Sequence, residues 1–189
     1  MAEIIETLLK RRSVRSFEAR MPEPETIQKL LEAAMAAPTA CNSQPWEFIV
    51  VTEPERMDRL RDQMQFARYN APCAVVVCGN EKIAHNNCAK HYWVQDCSAA
   101  MENLLVAAAG MGLGAVWIGV YPLPSTVTRV QEMFNMPEHV IPLGIAMLGY
   151  PAEGAVPAPR TQYEERRVHW QEYEARKPRA KIKNAKKLP

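Results

Sequence analysis

Apolar residues recur at helical spacing in five stretches of the chain and crowd into four short runs between them. Ile4, Ile5, Leu8 and Leu9 share one helical face, which predicts a short first helix. Ile27, Leu30, Leu31, Ala34 and Met35 repeat the spacing between Pro24 and Pro38, and Met57, Leu60 and Met64 do so after Pro54, with their face turned inward. The longest helix is expected from about His91 to Met111, where Val94, Cys97, Met101, Leu104, Leu105 and Ala108 make an apolar face and alanines allow close packing. A last helix begins in Ser125-Thr126-Val127-Thr128, with Ser125 as its candidate cap. WEFIVVT, APCAVVVCG, AVWIGV and IPLGIAMLGYP read as strands, the second apolar throughout, as a strand covered on both faces must be. From Pro151 onward no core period remains, and the chain is expected to run as an extended arm. Helices and strands alternate without strict units and without an internal repeat, so an α/β or α+β sheet covered by helices is predicted, its strand order open.

Composition narrows the function. At 189 residues, 48% hydrophobic and 23% charged, the chain can bury a real core, and a net charge of +2 lacks the basic excess usual in proteins that live on nucleic acid. The N-terminal MAEIIETLLKRR is amphipathic and its apolar run is short for a secretory or membrane segment; the longer apolar stretch from Asn103 to Val120 is broken by Gly110, Gly112 and Gly114. Five cysteines, an odd number without a CxxC pair, suggest reduced thiols in a cytoplasmic protein.

Several candidate motifs weaken on inspection. GMGLG follows a helix and leads into a strand, the reverse of a dinucleotide-binding loop, and reads as a helix stop. His85, Cys88 and His91 are three apart, but no second pair of ligands accompanies them, so no metal site is expected. There is no GxSxG and no recognisable cysteine nucleophile. The basic run at 176–187 has no aromatic to stack on bases, and a solvated tail over 175–189 is expected, with neither nucleic acid nor membrane as partner. RRSVRSF at 11–17 is different: Arg11, Arg12 and Arg15 surround Ser13 with no acid between Lys10 and Glu18. The alternatives are a solvated basic face and, in an extended or turning segment, a phosphate site, which guanidinium forks plus a hydroxyl suit.

RRSVRSF, then PTACNSQPWEFIVV, then WVQDCSAAMENLLVAAAGMGLGAVWIGVY, then PLGIAMLGYPAE with APR and VHW beyond it, occur in an order that resembles the FMN-dependent nitroreductase family, from about Ile4 to Trp170. The resemblance implies an α+β fold, a mixed and mainly antiparallel sheet flanked by helices, in an intertwined homodimer, with residues 1–174 as the FMN-binding domain. It implies that Arg11, Arg12, Ser13 and Arg15 hold the FMN phosphate, ribityl chain and pyrimidine edge, and that Arg160 closes over the phosphate. Pro38, Thr39, Ala40, Asn42 and Gln44 would meet the flavin from the other subunit, Gln44 within the Gln44-Pro45-Trp46 turn that sets where this loop joins its strand. Ile118 and Gly119 would lie near the ring. Thr39 stands where the commoner family form has serine. Cys41 falls in the same loop and is expected to fill space. A lid over the ring would come from 66–70 or 82–92, and the long helix would be the central dimer element.

The activity this implies is oxidation of NADH or NADPH through FMN and reduction of a nitroaromatic, quinone or similar small acceptor, in alternation. No dedicated acid or base is needed, since a flavin carries the chemistry and a fixed cation at its pyrimidine edge favours reduction. The alternatives are another reaction on the same flavin, such as reductive dehalogenation or flavin breakdown, and flavin storage without turnover.

Overall fold

The computed structural model describes residues 3–159 and 161–175. Residues 3–159 form one unit. Its helices are α1 (Glu3–Lys10), α2 (Pro24–Met35), α3 (Pro54–Gln63), α4 (Ala89–Gly110) and α5 (Pro124–Met133), and its strands are β1 (Trp46–Val51), β2 (Cys73–Asn80), β3 (Gly114–Gly119) and β4 (Val140–Gly149). The four strands pair antiparallel in the order β1-β2-β4-β3. A parallel bridge between Ser13 and Ala115 adds a short piece of the N-terminal segment outside β3, so the sheet is mixed but mainly antiparallel.

Both faces of the sheet are covered, and β2 shows it residue by residue. Ala74, Val76 and Cys78 point into a core with Met57, Leu60 and Met64 from the α3 side and Val130 and Met133 from α5. Cys73, Val75 and Val77 point into a second core with Ile27, Leu30 and Ala34 of α2 and Cys97, Met101, Leu104 and Ala108 of α4. Alternate residues thus bury on opposite faces, which is why the strand is apolar from Cys73 to Gly79; its one polar residue, Asn80, stands at the end and donates to Glu47 Oε2 at 2.8 Å.

Local details differ from expectation in places. The last helix begins at Pro124, with Leu123 rather than Ser125 at its cap position and no side-chain capping bond. Proline supplies a helical φ and has no N–H to satisfy, so the start needs no hydroxyl. The long helix starts at Ala89, two residues early, and its apolar face lies against its own sheet and α2, so that face is not open to a partner. Met35 is exposed. The helix stop is as expected: Gly112 takes φ +76, and Leu113 N–H donates to Ala108 O at 2.8 Å.

Residues 161–175 form a second unit. Its one regular piece is a turn of 3-10 helix at Glu165–Arg167, where Glu164 pairs with Arg166 and Arg167. His169 stacks on Tyr173, and the Trp170 and Tyr173 side chains are largely exposed. Arg160 and the tail from 176 lie outside the described residues.

Candidate functional site

The arginine segment is fastened to the sheet by its backbone, which frees its side chains. Val14 N–H donates to Ala115 O at 3.0 Å beside the Ser13–Ala115 bridge. Further on, Phe17 bridges Pro151, Glu18 N–H reaches Tyr150 O at 2.9 Å, and the Asn70 amide bonds both Phe17 N–H (3.0 Å) and Phe17 O (2.7 Å). Val14 and Phe17 are the buried anchors. Between and around them Arg11, Arg12 and Ser13 are half-buried and Arg15 is exposed.

The guanidinium contacts are sparse. Arg11 Nε lies 3.5 Å from Glu102 Oε1, Arg12 Nη1 donates to Ala158 O, and Arg15 Nη1 donates weakly to Ser13 O at 3.4 Å. Among the described residues each contact uses one nitrogen of a group that carries five N–H donors, so most of the segment's donor capacity is not taken up by them. A cleft of about 240 Å³ opens beside Lys10, Arg11 and Arg12 and is closed by Gly110, Gly112 and Leu113.

Gly119 stands at the other end of β3. It lies four positions along from Ala115, about 13 Å of strand. A Cβ built at Gly119 meets nothing within 4 Å, so the space before it is open. Ile118 beside it is buried in the core.

The loop at 38–44 is an ordered construction. Ala40–Asn42 forms one turn of 3-10 helix, and Cys41, Asn42 and Gln44 all adopt positive φ without being glycine (52°, 55° and 48°). Such conformations cost of order 1–3 kcal/mol each and persist where the surroundings impose them. What imposes them here is Asp96 of α4, only 4% exposed: its Oδ1 accepts Ala40 N–H at 2.9 Å and its Oδ2 accepts the Ser43 hydroxyl at 2.9 Å. Thr39 Oγ1 accepts Gln44 N–H at 3.2 Å, and Gln44 Nε2 donates to Asn42 Oδ1 at 2.9 Å. From outside, His85 N–H donates to Ser43 O and Asn86 Nδ2 donates to Cys41 O, both at 2.8 Å. The segment after Glu81 therefore braces this loop. Cys41 does not fill a gap: it is exposed, and its sulfur meets that of Cys88.

Within one chain the loop and the arginines stay apart. The loop feeds β1 at one edge of the sheet, and the arginine segment lies outside β3 at the other, about 19 Å away across four strand spacings. Register places the start of β1 and the end of β3 toward the same end of the sheet, since Trp46 pairs with Gly79, Gly79 with Ile141, and Gly119 with Gly144. The expected residues thus fall into two groups: Arg11, Arg12, Ser13 and Arg15 with Ile118 and Gly119 along β3, and Pro38, Thr39, Ala40, Asn42 and Gln44 at the head of β1. Asp96 was missed because a lone acid on an apolar helix gives no sign of what it meets 53 and 56 residues away.

The fold is that of a known class. The sequence model of the nitroreductase family matches residues 8–66 and 64–150. A protein of Methanothermobacter thermautotrophicus, by name an NADH dehydrogenase/NAD(P)H nitroreductase, is 39% identical over 173 residues, spanning 90% of this chain and 88% of its own. A crystal structure of a Parabacteroides distasonis protein with the same name superimposes with a TM-score of 0.83 at 39% identity, covering 92% of this chain and all of that one. An FMN-dependent nitroreductase of Clostridium difficile superimposes at 0.78 with 28% identity, covering 89% and 99%. The chain belongs to the nitroreductase family.

Proposed function

We propose that this chain is an FMN-dependent oxidoreductase that takes hydride from NADH or NADPH and passes electrons to a nitroaromatic, quinone or similar small acceptor in two alternating half-reactions. The observation that carries the reading is the arginine segment, three guanidinium groups and a hydroxyl fastened by backbone bonds at one end of a strand whose other end is an open glycine. That arrangement suits an elongated cofactor with a phosphate at one end and a flat ring at the other, and the similar Clostridium difficile protein is FMN-dependent.

When bound, FMN supplies the hydride acceptance and the electron donation. The chain supplies position and charge. Arg11, Arg12 and Ser13 hold the phosphate and the chain next to it, with fixed donors in a half-buried site. Arg15, the exposed member, places a cation that favours negative charge at the pyrimidine edge without giving up a proton. Gly119 lets the ring approach the backbone. The loop at 38–44, held by Asp96, meets the ring from a partner subunit and excludes water from its edge.

The test is spectroscopic. The purified protein is expected to be yellow, to bleach with NADH or NADPH under argon, and to regain colour when a nitroaromatic or quinone is added. A colourless protein that does not bind added FMN overturns the reading. A yellow protein that neither nicotinamide bleaches is a flavin-storage protein instead.

A further inference from the structure

The five cysteines divide sharply. Cys73, Cys78 and Cys97 are fully buried. Burial pushes the thiols of Cys73 and Cys97 up to about 12 and raises that of Cys78 as well. They donate to carbonyl oxygens of their own core and are poor nucleophiles. Cys41 is exposed and Cys88 half-buried, and their sulfurs lie 2.7 Å apart although 47 positions separate them in sequence.

This meeting is organised by the residues around it. Asn86 Nδ2 holds Cys41 O at 2.8 Å, while Asn86 Oδ1 accepts Cys88 N–H at 3.0 Å, so one side chain fixes both cysteine backbones. His85 N–H on Ser43 O and the two bonds of Asp96 fix the loop from either side of Cys41. Cys41 itself is held at φ 52, in the left-handed region. The sulfurs thus face each other between two braced segments and need about 0.7 Å of closure to reach bonding distance.

We propose that Cys41 and Cys88 are a reversible redox pair, closed to a disulfide by a hydroperoxide, which locks the loop at 38–44 to the start of α4. The chemistry balances in two steps. The Cys41 thiol is oxidised by hydrogen peroxide to a sulfenic acid with release of one water. The Cys88 sulfur then attacks the Cys41 sulfur, expels the hydroxyl as a second water with the thiol proton, and forms the S–S bond. Two electrons pass from the two thiols to the peroxide, and a small dithiol reverses the change. Cys41 is the first to react because it is the exposed member. Cys88 donates a hydrogen bond to it, which together with burial raises the Cys88 thiol above its ordinary value. Closure therefore speeds as pH rises. Neither step requires flavin, so the reaction is read independently of the function proposed above, although the loop it locks is the one that function sets against the flavin.

The experiment titrates the purified, pre-reduced protein with hydrogen peroxide, alkylates it under denaturing conditions and maps the peptides. The expected result is a linked Cys41–Cys88 peptide, two fewer alkylated thiols per chain, and return to five on treatment with dithiothreitol. Cys88→Ser should leave Cys41 as a sulfenic acid that dimedone traps, and Cys41→Ser should leave Cys88 alkylatable at the same peroxide dose. Amide exchange at 40–44 should slow in the oxidised form. Five alkylated thiols at every dose would overturn the pair, as would Cys41 lost to sulfinic acid while Cys88 remains free. A linked peptide with unchanged exchange would overturn the locking. Peptide linkage and exchange are both read without turnover, so a protein that failed to reduce any acceptor would still decide the question.

Discussion

At the scale of single residues, the side chains that shape the site are those that hold others in place. Asp96 is the clearest. Replacing it with alanine leaves Ala40 N–H and the buried Ser43 hydroxyl unpaired, and hydrogen bonds to a charged group are worth about 1.5–3 kcal/mol each. Asp96→Ala is expected to lower stability by about 3 kcal/mol or more in urea unfolding and to weaken FMN in parallel. Asp96→Asn should cost less, because its oxygen still accepts from Ala40 and its amide can donate to Ser43 Oγ. Equal losses from both variants would show that shape, not hydrogen bonding, is what matters there. A second holding group sits where the arginine segment ends. Glu23 accepts from Arg20 Nη2 at 2.6 Å and from the Tyr150 hydroxyl at 2.8 Å, and Arg20 lies 4.3 Å over the Tyr150 ring. The Arg20 bond first, then the Tyr150 bond, lowers Glu23 from an ordinary 4.5 to about 2. A carboxylate lowered by folding contributes its stability above the unfolded value and loses it as pH falls through the folded one, so this contact fades between about pH 4.5 and 2. Carboxyl NMR should place the Glu23 midpoint near 2, and Tyr150→Phe should raise it while leaving it below 4.5, since the Arg20 bond remains. Charge and spacing alone mark Arg11, Arg12 and Arg15 around Ser13 as a candidate anion site, and their assignment to FMN comes from the family resemblance. Asp96, Glu23 and Cys88 carry no such mark, because each acts through a partner that a single sequence does not reveal.

Among the elements, β3 and the segment beside it carry the design, and two glycines on that strand separate packing from binding. A Cβ at Gly114 would come within 2.7 Å of Val14 Cβ and Cγ1. Val14 is the buried anchor that holds Arg12 and Ser13 against Ala115, so Gly114→Ala must push the segment off the strand. Overpacking of this kind costs about 1–3 kcal/mol. We expect that loss in stability together with weaker FMN binding. Gly119→Ala meets no atom of the described residues, so thermal unfolding of the flavin-free protein should stay within about 0.5 kcal/mol of the parent. Its FMN affinity should nonetheless fall, because the ring would occupy that space. If Gly119→Ala binds FMN as tightly as the parent, the ring is elsewhere. The elements were legible to the extent that their apolar period came from one local face. All four strands and five helices were anticipated, β2 most surely, because burial on both sides leaves no room for ambiguity. The errors lie at ends: the last helix begins on Pro124, and the long helix starts two residues early, at Ala89. Helix starts depend on backbone groups that proline or a neighbouring loop can satisfy as well as a hydroxyl can. The strand order β1-β2-β4-β3 could not be read at all, since apolar period says which face is buried and not which strand lies alongside.

At the scale of the whole molecule, the proposed site calls for a second copy of the chain, and the exposed apolar surface is where that copy is expected to dock. The arginines lie at the β3 edge and the loop at the β1 edge, so a flavin held by the first group in one chain can meet the second group only from another copy. α1 points the same way. It has eight residues, none of them buried, with Ile4, Ile5, Leu8 and Leu9 each at least 43% exposed. A helix this short is marginal in water and takes its stability from packing. Beside it Val106, Ala107 and Met111 continue the apolar surface along α4. The inward face of α4 is already spent on its own sheet, so α1 and this outer strip replace that face as the expected contact. A two-fold dimer uses one patch twice and yields two equivalent sites. We expect a homodimer with an apolar interface in the obligate class, above roughly 2,000 Å². Light scattering with flavin absorbance across a dilution series should show dimer and bound FMN declining together. Leu8→Asp, which changes no residue assigned to the flavin, should shift both curves to higher protein concentration. A stable monomer that keeps FMN at full affinity would overturn the shared site, and with it the role assigned to Thr39 and Asn42.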